Sequence, residues 1–185
     1  MNSSLGTIVA LVLIAVAAVV IALVVVRHRR KAKLQQEFGP EYDRAVREVG
    51  PNRADAELLA REKRVSRFSL RDLTPEEWQS FSSEWRAVQS RFVDDPVGSV
   101  ADADSLVDRL MAARGYPMSD FEQRAADISV GHAAVVEHYR AAHAIALRHR
   151  AGQSTTDDLR NALIHYRALF TELLQQPGTR KKAVA

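Results

Sequence analysis

Five of the six histidines, His132, His138, His143, His149 and His165, fall in the last third of the chain. They are the first residues to test for chemistry, because imidazole binds metals and moves protons near neutral pH. Two histidines on one helix share an ion at i, i+3 or i, i+4 spacing. The gaps here are 6, 5, 6 and 16 residues. His132 and His143 share a helical face, as do His138 and His149, but eleven residues separate them by about 16 Å along the axis. One ion cannot be chelated that way within a helix. No histidine follows an acidic residue by three positions and there is no His-Glu-x-x-His, so neither the di-iron motif of helical bundles nor the zincin motif is present. His143 lies on the apolar side of its helix with Val136, Tyr139 and Leu147, where a hydrogen-bonded core histidine is the simpler role.

The acidic run Asp94, Asp95, Asp102, Asp104, Asp108 lacks the glycine and terminal glutamate of a calcium loop. Helix caps, first-turn partners and a solvated face account for it better. There is no nucleophile elbow and no glycine-rich phosphate loop. The chain has no cysteine, which excludes disulfides, thiolate catalysis and Cys-ligated zinc. No cofactor is expected. One other constellation is left: Trp78 and Trp85 on one helical face, with Tyr139 and His143 on another helix, as a candidate aromatic groove. At strict helical spacing such a face is more often core.

These residues must be positioned by helices. Residues 1–26 carry no charge, and Leu5–Val26 is apolar except for Gly6 and Thr7. Twenty-two residues span about 33 Å as a helix, against a hydrocarbon core of ~30 Å. This predicts one transmembrane helix over 5–26 behind a short uncharged tail, 1–4. The segment lacks the basic start and the short apolar stretch of a cleaved signal. A basic juxtamembrane segment, 27–37, follows, with Arg27, Arg29, Arg30, Lys31 and Lys33 as lipid-headgroup contacts. Cations on the C-terminal side alone place the N-terminus outside and the following domain in the cytoplasm. Gly6/Ala10 and Ala18/Ala22 have the spacing of paired helices, which also arises by chance in an Ala-rich span, so a homodimer stays open.

Residues 38–176 read as a compact bundle of five to seven helices without sheet, and 177–185 as a disordered basic tail. The six prolines, at 40, 51, 75, 96, 117 and 177, each fall at a helix boundary. Thr74-Pro75-Glu76-Glu77 and Ser119-Asp120-Phe121-Glu122 read as capping boxes. Ser154 to Asp158 caps the last helix, with the face Leu159, Leu163, Tyr166, Phe170. Residues 53–67 read as a mostly solvated helix with a Glu57–Arg61 pair. Phe68, Leu70 and Leu73 read as an extended connector. Helix is expected to about Asp127 and again from about Gly131 to Arg150.

The formal charge of +3 comes from the collar and from Arg180, Lys181 and Lys182; the body between Leu34 and Thr179 carries 18 basic and 23 acidic side chains. An acidic body flanked by cations suits anionic lipid rather than nucleic acid. The strings Phe38-Gly39-Pro40-Glu41-Tyr42-Asp43, Glu84-Trp85-Arg86-Ala87-Val88-Gln89, Phe92-Val93-Asp94-Asp95-Pro96, Arg114-Gly115-Tyr116-Pro117, Asp120–Asp127 and Tyr139-Arg140-Ala141-Ala142-His143 together resemble a bacterial family of small, membrane-anchored, uncharacterised proteins. The resemblance implies a bacterial source and a shared fold; it carries no activity and no site residues. The expectation is a non-enzymatic module tethered to the cytoplasmic face of a bacterial inner membrane, where it binds a protein partner. The alternatives are a ligand-binding or sensory domain with an aromatic pocket, and a metal-dependent enzyme.

Overall fold

The computed structural model describes the backbone of residues 2–175, and side chains at residue 13 and from residue 15 onward. Among the described residues there are seven helices and no strand: α1 (Asn2–Phe38), α2 (Pro40–Val49), α3 (Pro51–Val65), α4 (Pro75–Arg91), α5 (Pro96–Ala113), α6 (Phe121–Arg150) and α7 (Thr156–Leu174). Pro40, Pro51, Pro75 and Pro96 each occupy the first position of a helix, where the missing N–H removes no bond. Pro117 lies in the α5–α6 connection. Pro177 and the expected basic tail lie outside the described residues.

Capping sharpens several starts. Thr74 and Glu77 form a reciprocal capping box at α4, and Thr155 and Asp158 do the same at α7. At α6 the expected Ser119/Glu122 box does not form. Asp120 itself is the N-cap, accepting from the Gln123 amide at 3.0 Å, because its carboxylate already stands at the helix mouth. Asp95 caps α5 by accepting from the Gly98 amide at 2.8 Å.

The larger core is built from α4–α7. α6 packs along α7, α7 on α5, and α5 on α4. Val107, Leu110, Val136, Tyr139, Tyr166 and Leu169 are fully buried there, and Trp85 stacks on Phe170 with ring centroids 4.7 Å apart. A smaller core forms where Leu34 and Phe38, at the end of α1, meet Tyr42 and Ala45 of α2 and Ala54 and Leu58 of α3. The helical unit therefore begins inside α1, at Leu34, rather than at Phe38.

Upstream, α1 is a different object. Val19, Val20, Ile21, Leu23, Val24 and Val25 are 43–64% exposed. Successive residues on a helix point about 100° apart, so all faces of this stretch are apolar and uncovered. Among the described residues no helix is long and apolar enough to cross a membrane. The side chains of 1–12 and 14, which include part of the expected 5–26 span and the Gly6/Ala10 pair, lie outside the described residues.

Two connections are stereochemically specific. Residues 66–74 run over the end of α5, where the Arg71 amide donates to the Arg114 carbonyl at 3.1 Å. Gly115, at φ +89°, lies beneath this strap, and a Cβ there would stand 2.4 Å from the Ser69 carbonyl oxygen. Arg114 then reaches across to the C-terminus of α7, donating to the Leu173 and Gln175 carbonyls at 2.6 and 3.0 Å.

Leu110→Ala should destabilise the full chain by about 2–5 kcal/mol, read by denaturant titration of the fluorescence of Trp85 in its stacked environment. A loss below ~1 kcal/mol would show that the α5–α7 contact is not the core described here.

Candidate functional site

The most unusual chemistry in the fold is a buried ionic junction between the two cores. Glu41, in the first turn of α2, is 1% exposed. Its Oε1 accepts from Arg61 of α3 at 2.8 Å and from Arg140 of α6 at 2.9 Å. Arg61, itself 8% exposed, also pairs with Glu57 one turn back and reaches the Ser129 hydroxyl. Beside it, Arg64 Nε donates to Asp127 at 2.8 Å, and Gln123 donates to the same carboxylate at 3.0 Å. The second nitrogen of Arg140 binds Glu122 at 2.9 Å.

The junction adds to the sequence reading of α3. Its outer face is solvated, while a stripe of Ala54, Leu58, Arg61 and Val65 is buried against α1, α2 and α6. Of its charged residues, Arg61 alone is buried. The expected Glu57–Arg61 pair is made, but the longer-range partners Glu41 and Asp127 carry the packing. Charges taken from water are tolerated when paired with good geometry, and removing one partner strands the others.

Just beyond Asp127, α6 breaks. Val130 (φ −78°, ψ 97°), Gly131 (φ +100°) and His132 leave helical geometry before the helix resumes. Glycine makes the left-handed step cheap. The break lets the first segment of α6 turn Asp127 and Ser129 toward α3, while the second carries Tyr139 and His143 along α7 and α5.

The candidate groove residues do not converge. Trp78 is 44% exposed at the start of α4. Trp85 is buried against Phe170, and Tyr139 is buried with its hydroxyl aimed at Asp108, 3.5 Å away. His143 stacks on Phe121, with ring centroids 3.6 Å apart and planes within 8°. α4 packs on α5 rather than α6, which separates the two halves of the proposed face.

The remaining histidines of α6 and α7 find partners outside their own helix. His138 and His165 face one another from α6 and α7 with Nδ1–Nδ1 at 2.9 Å. One ring donates and the other accepts, so at least one must be neutral at that nitrogen. His132 Nδ1 lies 3.1 Å from Glu172 Oε1, and His149 Nδ1 lies 2.8 Å from the Ser154 hydroxyl. Intrahelical spacing could not disclose these pairs, because the partners of His138 and His132 lie on α7 and that of His149 in the α6–α7 loop. Among the described residues no three acidic or imidazole groups stand together as a metal site.

The aspartates of α5 also differ from the expected solvated face. Asp104 accepts from the buried Tyr166 hydroxyl at 2.8 Å, and Asp108 pairs with Arg124 at 2.9 Å. Burial raises the pKa of the Asp108 carboxyl, with the Arg124 charge opposing. Burial, reinforced by these aspartates, raises the Tyr139 and Tyr166 phenols above their ordinary value. Asp102 pairs with Arg91 at the surface.

Two shallow clefts flank the kink. One, about 430 Å³, includes Arg71, Asp72, Arg114, Tyr116 and His132 in its lining. Its neighbour, about 680 Å³, is walled by Leu59, Val65, Phe68, Leu70 and Val130. A third, of about 330 Å³, lies against the collar. Of the collar residues, Arg27 donates to Asn52 Oδ1 at 2.6 Å, and Lys33 pairs with Glu37 and Glu62 at 3.4 and 3.7 Å. Arg27, Arg29, Arg30, Lys31 and Lys33 are all exposed. Comparison with known proteins returns no matching family model, no similar curated protein and no similar solved structure.

Glu41→Ala should destabilise the chain by about 3–5 kcal/mol, because Arg61 and Arg140 lose their shared counter-charge in the interior. Conversion of Glu41, Arg61 and Arg140 together to apolar residues of similar volume should recover most of that loss in the same denaturation assay. A single variant as stable as the parent would contradict the junction's role.

A pH dependence follows from the histidines. Burial, chiefly, lowers the pKa of His143, with Asp104 and Glu122 opposing and Arg150 and Arg124 adding to the effect. Burial, then the neighbouring His138, lowers His165. A histidine whose folded pKa lies below its unfolded value binds fewer protons folded than unfolded. Its contribution is present above the unfolded value of ~6.5 and is lost as pH falls toward the folded value. The melting temperature should therefore drop between pH 7.5 and 5.5, and the His143→Gln/His165→Gln double variant should flatten the slope. A parent that melts identically across this range contradicts the assignment.

Proposed function

We propose that the chain is a membrane-tethered helical interaction module, held by residues 5–26 as a transmembrane anchor, with the α2–α7 body at the cytoplasmic face of a bacterial inner membrane. The observation that carries this reading is α1 itself. One continuous helix has an apolar stretch exposed on every face at 15–26 and a buried end at Leu34 and Phe38. A helix apolar all round belongs in a core or in lipid, and among the described residues its side chains at 15–26 are exposed. The uncharged sequence upstream extends the stretch to bilayer length. The five cations on its C-terminal flank set the orientation, and they offer contacts to anionic headgroups.

The reading as a binding module rather than an enzyme is supported by how the ionisable groups are used. Glu41, Asp127, Asp104 and Asp108 each hold a structural partner, as do His138 with His165 and His149 with Ser154. Groups tied into packing contacts between helices are poorly placed to meet a substrate. The apolar cleft of Leu59, Phe68 and Leu70 is the face best suited to a protein partner, since two of its three large side chains are more than 40% exposed.

Expressed in a bacterial host, the full chain should resist carbonate extraction. With no native cysteine present, Val93→Cys should be labelled by a thiol reagent only after the membrane is made permeable. Labelling of intact cells would reverse the orientation, and extraction by carbonate would remove the anchor.

A further inference from the structure

We infer that the turn between α2 and α3 is a second membrane-contacting element, so that the body rests on an anionic lipid surface instead of hanging from the anchor alone. This rests on the tethered reading above. It follows from the direction of the helices. Arg27 of α1 bonds Asn52 at the start of α3, and Lys33, six residues on, meets Glu62, ten residues on. α3 therefore runs alongside α1 in the same direction, and its first turn lies level with the first cation after the apolar stretch. α2 joins them by running back from Gly39 to Val49. At ~1.5 Å per residue its ten residues climb about 15 Å, close to the rise from Phe38 back to Arg27. The Val49-Gly50-Pro51 turn thus reaches the level at which α1 would enter the headgroups.

The surface at that level suits lipid. Val49 and Pro51 are exposed at the tip, with Arg47 and Arg53 exposed on either side. The cleft between turn and collar, about 330 Å³, is walled by Val24, Arg27, His28, Lys31, Pro51 and Asn52, with Asp55 at its edge. The nearby acids have cation or hydroxyl partners: Glu48, at the surface, binds Arg44 at 2.8 Å, and Asp55 accepts from the Tyr42 hydroxyl at 3.0 Å. What faces outward is an apolar tip flanked by the cations Arg47 and Arg53, with Glu48 neutralised by Arg44, a composition that suits an interfacial anchor.

The test uses the full chain in lipid nanodiscs, either zwitterionic or containing anionic phosphatidylglycerol. Val49→Cys carries an environment-sensitive fluorophore; Val93→Cys, on the α4–α5 turn away from α1–α3, is the reference. The expected result is a blue-shifted label at 49, quenched by headgroup-labelled lipid in anionic discs, while the label at 93 stays aqueous. Arg47→Glu with Arg53→Glu should lower the equilibrium constant for the quenched state by at least roughly thirtyfold, since each of the two juxtamembrane cations contributes about 1 kcal/mol near an anionic surface. A chain that stays in the disc while its label at 49 is as aqueous as that at 93 overturns the inference and leaves the anchor standing. Equal quenching in zwitterionic discs overturns the anionic preference. A chain that does not stay with the disc removes the anchor, and this inference with it.

Discussion

One buried carboxylate, Glu41, stands where α2, α3 and α6 meet and ties the N-terminal helices to the bundle. Glu41 accepts from Arg61 and Arg140 through a single oxygen, and its Oε2 is buried with no hydrogen-bond partner. The arrangement is therefore held by charge more than by complete hydrogen bonding. Its consequence is orientation. Apolar contacts such as Leu58 against Phe38 tolerate sliding, whereas a carboxylate between two guanidiniums fixes α2, α3 and α6 to one register. Buried ionic groups add little net stability; here one carboxylate bonds α3 and α6 from α2 at a single point.

The junction gives α1 its meaning. Leu34 and Phe38 are locked into the smaller core, and that core is locked to α6 through the buried charges. Because α1 is a continuous helix from Asn2 to Phe38, the direction of its apolar half is set by the body, with no flexible linker between them.

Helix number and boundaries were legible in the sequence because proline and capping residues act locally: Pro40, Pro51, Pro75 and Pro96 mark starts whatever the tertiary contacts. The large core was legible too, since Phe81, Trp85, Val107, Leu110, Tyr166 and Phe170 repeat at helical spacing. What the pattern hid was long-range. Glu41 looks like a first-turn acid suited to the helix dipole, and Arg61 like half of an i, i+4 surface pair; their burial depends on α6 arriving from nearly a hundred residues away. The same limit explains His138 with His165 and Asp104 with Tyr166. The candidate groove shows the converse: Trp78 and Trp85 share a helical face, but α5 and α7 cover Trp85 and leave Trp78 at the rim.

Central to the proposal is that α1 and the body form one oriented unit. Pulsed electron paramagnetic resonance between labels at Leu23→Cys, on the apolar half of α1, and Ile164→Cys, on the exposed face of α7, tests it directly in lipid nanodiscs. A single narrow distance distribution, broadened when Glu41 is replaced by Ala, is the predicted result. A broad distribution in the parent, unchanged by that replacement, would contradict it.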